Sequence, residues 1–220
     1  MESVSTNQKK LKAAAILFVI AAAVQLLIVI VNLIMYRGYR GFVPVFPILY
    51  LLLYTAVAVG LFLDKIPFPI AGVGFAGLTV MEFVNFVSSI RSAATSFHSI
   101  TANGYTVPTS MKIIYILQII PPVCLMLGFA AAALIIFFAA YGSDKLKQVA
   151  KKLTVLPLIL LLINCVCMAL TVILYAGSLA LGSPNNSTSL LLVQNALSLA
   201  VGILTLLGTV KAIRSYTRAV

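Results

Sequence analysis

The sequence is poor in charged side chains, and this scarcity argues against a soluble protein. Only 9% of the 220 residues are charged and only four are acidic, whereas charged residues make up about 25% of a typical soluble domain. Hydrophobic residues account for 62% of the chain. A chain of this composition needs the hydrocarbon core of a bilayer as its solvent, so we predict an integral membrane protein whose main partner is the lipid bilayer.

Histidine and cysteine are also scarce, and this bears on catalysis and metal binding. The chain has one histidine, His98, and three cysteines, Cys124, Cys165 and Cys167. The cysteines fall inside apolar runs, so we expect them to pack rather than to form disulfides or bind a metal. The apolar runs contain neither paired acids nor an HExxH or GxSxG motif. We therefore predict no metal site, no cofactor and no enzymatic activity.

What the chain does contain is a series of apolar runs, each long enough to cross a hydrocarbon core about 30 Å thick. These runs cover residues 13–35, 46–63, 68–90, 113–141, 153–178 and 190–210. The first run is too long for the core of a secretory signal, so we expect an uncleaved helix. The prediction is an all-α bundle of six transmembrane helices in one domain, residues 13–210. Residues 1–12 form an N-terminal segment and residues 211–220 a tail.

The distribution of lysine and arginine predicts the orientation of this bundle. Basic residues near helix ends are retained on the cytoplasmic side of the membrane. With both termini in the cytoplasm, eleven of the 15 basic residues lie on the inner side. The other four, on the outer side, are Arg37, Arg40, Arg91 and Lys112. We therefore predict cytoplasmic termini in a cell membrane, and the lean connections favour a bacterial cytoplasmic membrane.

The net charge of +11 raises the question of a nucleic-acid partner. The basic residues are dispersed between the apolar runs and do not form a patch interleaved with aromatic residues, so we expect no binding to nucleic acid. One predicted inner connection carries four lysines: Lys145, Lys147, Lys151 and Lys152. Anionic lipid at the cytoplasmic face would attract each of them by about 1 kcal/mol. A protein partner is the alternative occupant of the same patch.

One carboxylate lies inside a predicted span, and it is the strongest candidate for a functional residue. A charge near the middle of a span costs about 2.5–3.5 kcal/mol on insertion scales. Glu82 shares one face of the third run with Thr79, Asn85 and Ser89, since these positions fall within about 120° at 100° per residue. The stripe predicts a site for a cation, a proton or the amine of a substrate. The alternative is a structural role in which Glu82 is hydrogen-bonded to a neighbouring helix.

Polar residues align in the same way on other apolar runs. They include Gln25 and Asn32 on the first run, Asn164 on the fifth and Gln194 on the sixth. Together with the stripe of the third run, these side chains can line a polar binding cavity. Residues of these types also join helices through hydrogen bonds worth about 0.6 kcal/mol each. Both interpretations remain open at the level of the sequence.

Two short motifs also allow a ligand-binding interpretation and a structural one. Arg37 and Arg40 lie beside tyrosines in the first outer connection, where they can capture an anion or anchor the helix end among lipid headgroups. Gly72, Gly74 and Gly77 match GxGxxG, but this dinucleotide-binding motif requires a preceding strand, and here it lies in an apolar run. We expect the glycines to allow close packing of helices.

The fourth run and the connection before it have features that bear on the shape of the bundle. Pro121 and Pro122 each remove one backbone donor from the fourth helix, so a kink is expected there. The outer connection of residues 91–112 is long enough to fold over an outer opening, although an ordinary solvated loop is the favoured interpretation. The polar stripes favour a small-solute or ion transporter, or the substrate-binding subunit of one. The alternative is a non-catalytic membrane scaffold, sensor or assembly partner.

Overall fold

The computed structural model describes residues 2–35, 45–63, 69–104, 106–107, 109–181 and 186–218, and these ranges contain helices and no strand. The helices are α1 (Glu2–Met35), α2 (Val45–Phe62), α3 (Ile70–Ala102), α4 (Thr109–Tyr141), α5 (Asp144–Leu153), α6 (Val155–Leu181) and α7 (Asn186–Arg218). Six helical stretches are long and apolar enough to cross a membrane, the fifth of which runs through α5 into α6. This confirms the prediction of an all-α bundle with six candidate spans.

The prediction of a long outer connection at residues 91–112 is wrong, because most of it is helical. Helix α3 continues to Ala102 and α4 begins at Thr109. Hydroxyl groups in the extension bond to carbonyls of their own helix, as Thr95 Oγ1 donates to the carbonyl of Arg91 at 2.9 Å. Phe97 also packs edge to face against Tyr115 of α4, with ring centroids 5.1 Å apart. The expected outer loop is therefore largely an extension of the helical wall.

Helix also replaces the expected connection that carries the four lysines. Residues Asp144–Leu153 form α5, which is amphipathic. Its lysines and Gln148 lie on one side, whereas Ala150 is buried and Leu153 packs against the core of the bundle. The N-terminal segment and the tail are helical as well, since α1 begins at Glu2 and α7 extends to Arg218. A sequence window tuned to apolar runs does not detect such polar helical ends.

The six long helices form a closed ring. Each packs against the long helix before and after it in the chain, α1 packs against α7, and α4 also touches α7. The outward faces of the ring are apolar, and side chains such as Val80 and Ile173 are more than half exposed, at 61% and 64%. An apolar exterior of this kind is suited to lipid, as expected for an integral membrane protein.

One half of the ring, which contains the N-terminal half of α1 and the C-terminal half of α7, has a solid core. At its centre, four rings from four helices form what we call the aromatic plug: Phe18, Tyr54, Phe75 and Phe129. Phe75 packs edge to face on Phe18 at 5.5 Å and at a tilt on Phe129 at 6.0 Å between centroids. All four rings are at most 5% exposed. The plug closes this half of the bundle.

The three glycines of the GxGxxG match occupy places where α3 meets its neighbours. A Cβ atom added at Gly74 would lie 2.6 Å from Cγ2 and 3.0 Å from the backbone nitrogen of Val57 in α2. One at Gly72 would lie 3.2 Å from the ring of Phe137 in α4. One at Gly77 would also press on α2, at Leu53. The expected packing role is therefore confirmed.

Candidate functional site

The other half of the bundle surrounds a cavity of about 650 Å³. All six long helices contribute to its wall, through the C-terminal parts of α1, α3 and α6 and the N-terminal parts of α2, α4 and α7. Tyr54 belongs both to this wall and to the aromatic plug, so the plug lies at the closed end of the cavity. The cavity lies in the half of the bundle next to the connections that the charge distribution predicts to be outside.

Most of the polar residues singled out in the sequence meet at this cavity. Seven of the eight line it: Gln25, Asn32, Glu82, Asn85, Ser89, Asn164 and Gln194. Thr79 does not line it, and its hydroxyl donates to the carbonyl of Phe75 in the preceding turn, at 2.9 Å. Arg37 and Arg40 lie outside the described residues. The helical periodicity therefore placed the polar stripes on the inner face of the ring, while a binding role for them stays a prediction.

Glu82 is the acidic residue of the cavity wall, and it is almost completely buried, at 3% exposure. The amide nitrogen of Asn85, one turn along α3, lies 3.5 Å from its Oε2. The hydroxyl of Tyr50 on α2 is close enough to interact with both groups, although it forms no hydrogen bond of standard geometry. The described groups that act on the carboxyl are thus an amide and a phenol, and neither supplies a positive charge.

The amide side chains of the wall differ in how their hydrogen-bonding groups are used. Gln25 donates to the carbonyl of Pro47 at 3.4 Å and so links α1 to α2. Asn32 donates to the carbonyl of Ile28 in its own helix at 2.8 Å. Asn164, only 2% exposed, has a buried Oδ1 with no partner among the described residues. An unpaired buried acceptor costs about 1–3 kcal/mol, so its presence in a cavity wall requires an explanation.

The aromatic side of the cavity was not predicted from the sequence. Phe46, Tyr50 and Tyr54 of α2 and Tyr175 of α6 line it. Tyr50 and Tyr54 are four residues apart and therefore share one face of α2. This spacing is visible in the sequence, but tyrosine in an apolar run does not distinguish a cavity wall from a packed core or a membrane interface.

The proline pair of α4 also contributes to the wall. Because proline has no backbone N–H, Pro121 and Pro122 deprive the carbonyls of Leu117 and Gln118 of their α-helical donors. All four residues line the cavity. The pair was interpreted only as a source of a kink, although the loss of two specific donors also follows from the sequence.

The wall can therefore bind a small molecule through one carboxylate, several amides and hydroxyls, and a set of aromatic rings. Its volume lies within the range of about 300–1,000 Å³ usual for small-molecule sites. Among the described lining residues there is no histidine, cysteine or second acid that could complete a catalytic or metal-binding set. No protein-family model, curated protein or solved structure matches the chain.

Proposed function

We propose that this protein binds a small solute in the cavity, either as a small transporter or as the substrate-binding subunit of one. The observation that carries the proposal is the shared cavity itself. Polar stripes that serve only to join helices would pair with one another across the helix interfaces. Here Glu82, Asn164 and Gln194 instead line a cavity of about 650 Å³, and the buried Asn164 acceptor has no partner in the part of the chain that the structure describes.

The proposal also assigns an orientation and a direction of access. If both termini are cytoplasmic, the cavity lies in the outer half of a cell membrane and receives its solute from outside. The aromatic plug separates it from the inner side. Transport would then require the plug rings to move apart, or a partner that moves the helices. No chemical step is part of the proposal, which uses the groups of the wall for binding alone.

A thermal-unfolding screen of the detergent-purified protein against metabolites and inorganic cations tests the binding function. A ligand at 100 times its dissociation constant stabilises the folded state by about 2.7 kcal/mol. The matched variants are Ser198→Phe, which fills part of the cavity, and Ile203→Phe, which adds the same ring to an exposed position of α7. We expect the shift to be lost in the first and kept in the second. A screen without any shift, or a shift that both variants retain, would overturn the proposal.

For the inner face, we propose that α5 contacts anionic lipid. Its lysines lie opposite the partly exposed Leu146 and Val149, so the helix can lie in the headgroup region with its apolar side towards the acyl chains. Replacing Lys145, Lys147, Lys151 and Lys152 by glutamine should lower the amount of phosphatidylglycerol that co-purifies, measured by mass spectrometry. Unchanged lipid retention would contradict the assignment.

The alternative function is that of a scaffold, sensor or assembly partner, and the same helix favours it. The exposed basic side of α5 can bind an acidic protein surface as well as lipid. In that case, crosslinking of the membrane-embedded protein to one specific partner should depend on the four lysines, and no small molecule should stabilise the chain. The cavity would then have only a structural role.

A further inference from the structure

We propose that the ligand of the cavity is an organic ammonium ion, anchored by its N–H donors at Glu82. This inference rests on the proposed binding function and specifies the chemical class of the solute. It comes from three properties of the wall taken together: the sign of its charge, the balance of its donors and acceptors, and the size and aromatic character of the space.

The charge of the wall favours a cation. Glu82 is the acidic residue of the wall, and no lysine, arginine or histidine is found among the described lining residues. A buried carboxylate without a positive partner is costly, and its desolvation is best compensated by a charge that comes with the ligand. A carboxylate or phosphate ligand would instead meet a charge of its own sign without a positive group to balance it.

The hydrogen-bonding groups of the wall favour a ligand that donates. Besides Glu82, the wall contains the side chain of Asn164, whose Oδ1 is buried beneath the surface and has no partner among the described residues. It also contains the stretch in which Pro121 and Pro122 leave two backbone carbonyls without helical donors. These groups lie on α3, α6 and α4 around one space. A primary ammonium group has three donors and no acceptor, so it can pair with these acceptors, and the amide and hydroxyl donors of the wall remain for the rest of the ligand.

The size of the cavity favours an organic ion over a metal ion. A volume of about 650 Å³ is far larger than an alkali or alkaline-earth ion needs. Within the described residues no cluster of three or more His, Cys, Asp or Glu side chains can hold a metal. The rings of Phe46, Tyr50, Tyr54 and Tyr175 provide aromatic surface for the body of an organic ligand and for cation–π contact with its charged end.

A matched set of probes tests the ligand class on the full-length purified protein. 2-Phenylethylamine and tryptamine are cations at neutral pH, and 2-phenylethanol, phenylacetate and indole-3-acetate share their rings without a positive charge. We expect both amines to stabilise the protein and their uncharged or anionic counterparts not to do so. Sodium, potassium and calcium chloride are tested separately, because an inorganic cation has the same sign of charge as an organic ammonium ion and could bind Glu82 in its place.

Variants at the anchor distinguish a binding role from a structural one. Glu82→Gln keeps the side-chain shape and should weaken amine binding roughly 10- to 100-fold, since hydrogen bonds to charged groups have that effect. Asp144→Asn removes an exposed carboxylate from α5 and should change nothing. Adding Asn85→Asp to Glu82→Gln returns a carboxylate one turn away. In the parent, the amide nitrogen of Asn85 lies 3.5 Å from Oε2 of Glu82. This double variant should recover part of the affinity.

The possible results separate the two proposals. Equal or stronger stabilisation by the alcohol, the carboxylates or a metal salt would overturn the ammonium assignment and leave the cavity as a binding site for another class. If Glu82→Gln unfolds at the same temperature as the parent and binds amines equally well, Glu82 is not the anchor. If neither these probes nor any compound of the wider screen shifts the parent, the binding function itself fails.

Discussion

Asn164 shows at the scale of one residue how a binding site differs from a helix contact. Its buried Oδ1 has no described partner, and the absence of a side chain at Gly202 leaves room for its amide nitrogen, which a Cβ there would approach to 3.2 Å. A residue that joins helices should stabilise the fold through satisfied hydrogen bonds. An unsatisfied one lowers stability, and under the proposed function a ligand would compensate for this loss.

Asn164→Leu should therefore raise the melting temperature of the ligand-free protein and abolish the thermal shift produced by ligand. The expected gain in stability is about 1 kcal/mol, because the substitution replaces an unpaired buried acceptor by an apolar side chain of similar size. Differential scanning calorimetry with and without an amine probe measures both effects. A loss of stability on Asn164→Leu would indicate that the asparagine joins helices instead.

Thr209→Val provides the matched control for this measurement. Thr209 lies on α7, is fully buried and also has a hydroxyl oxygen without a described partner, but it does not line the cavity. Its replacement should leave the ligand-induced shift unchanged. If both variants lose the shift, the effect of Asn164→Leu arises from general repacking and not from the site.

The sequence predicted the polar residues of the cavity better than its other residues, and the reason is energetic. A carboxylate such as Glu82 in an apolar run costs several kcal/mol, so its position is informative without a structure. Tyrosine carries no comparable cost in a span, and the cost of a proline indicates a local break in the helix rather than a ligand. Tyr50 and Tyr54 were therefore not distinguished from packing residues, and Pro121 and Pro122 were interpreted only as a kink.

At the scale of the helix, α3 depends on glycine where it crosses α2. Gly74→Ala should destabilise the bundle by about 1–3 kcal/mol, because the added methyl group would meet the backbone of Val57 as well as its side chain. Gly177→Ala on α6 is the matched control, since nothing lies within 4 Å of a Cβ added there. It should stabilise by about 0.5–1 kcal/mol through helix propensity alone.

Thermal unfolding of the two alanine variants, in the same detergent as the parent, checks this pair. We expect the melting temperature to fall for Gly74→Ala and to rise for Gly177→Ala, although the chemical change is identical. Two stabilised variants would mean that α2 and α3 can separate at Gly74 without cost, which would contradict the packing described here.

The number of long helices followed from the sequence, whereas their ends did not. An apolar run of about 20 residues in a membrane predicts a helix, because unpaired backbone groups cannot be left in hydrocarbon. Outside the hydrocarbon, water can satisfy the backbone, and the choice between helix and loop depends on weaker effects. The extension of α3 beyond Arg91 depends on side-chain to carbonyl bonds and on the contact between Phe97 and Tyr115. The helix α5 depends on an amphipathic pattern too short and too charged for a span.

At the scale of the whole molecule, the closed ring separates two functions of the bundle. One half is packed around the aromatic plug and supplies stability, and the other half encloses the cavity. The arrangement follows from the positions of the polar residues along the chain. On α1, α3 and α7 the cavity residues Asn32, Asn85 and Gln194 lie towards one end of the ring, while Phe18, Phe75 and Ile213 lie towards the other.

The side of the membrane on which the cavity lies would determine whether the solute of the proposed binding function is taken from outside or from the cytoplasm. Three variants that each add one cysteine to the parent test this in intact cells with a membrane-impermeant maleimide: Asn103→Cys after α3, Ser92→Cys in the cavity wall and Gln148→Cys on α5, all at exposed positions. We expect labelling at 103 and 92, and at 148 only after permeabilisation. The parent chain is the control, because its three cysteines are buried.

An amine probe should slow the labelling of Ser92→Cys and leave that of Asn103→Cys unchanged, since only residue 92 of the two lines the cavity. Labelling of Gln148→Cys in intact cells, together with no labelling at residues 92 and 103, would indicate the opposite orientation. The same cavity would then receive its solute from the cytoplasm and not from outside. Because the geometry of the binding site is unchanged by this reversal, the ammonium assignment would survive a result that overturns the direction of access.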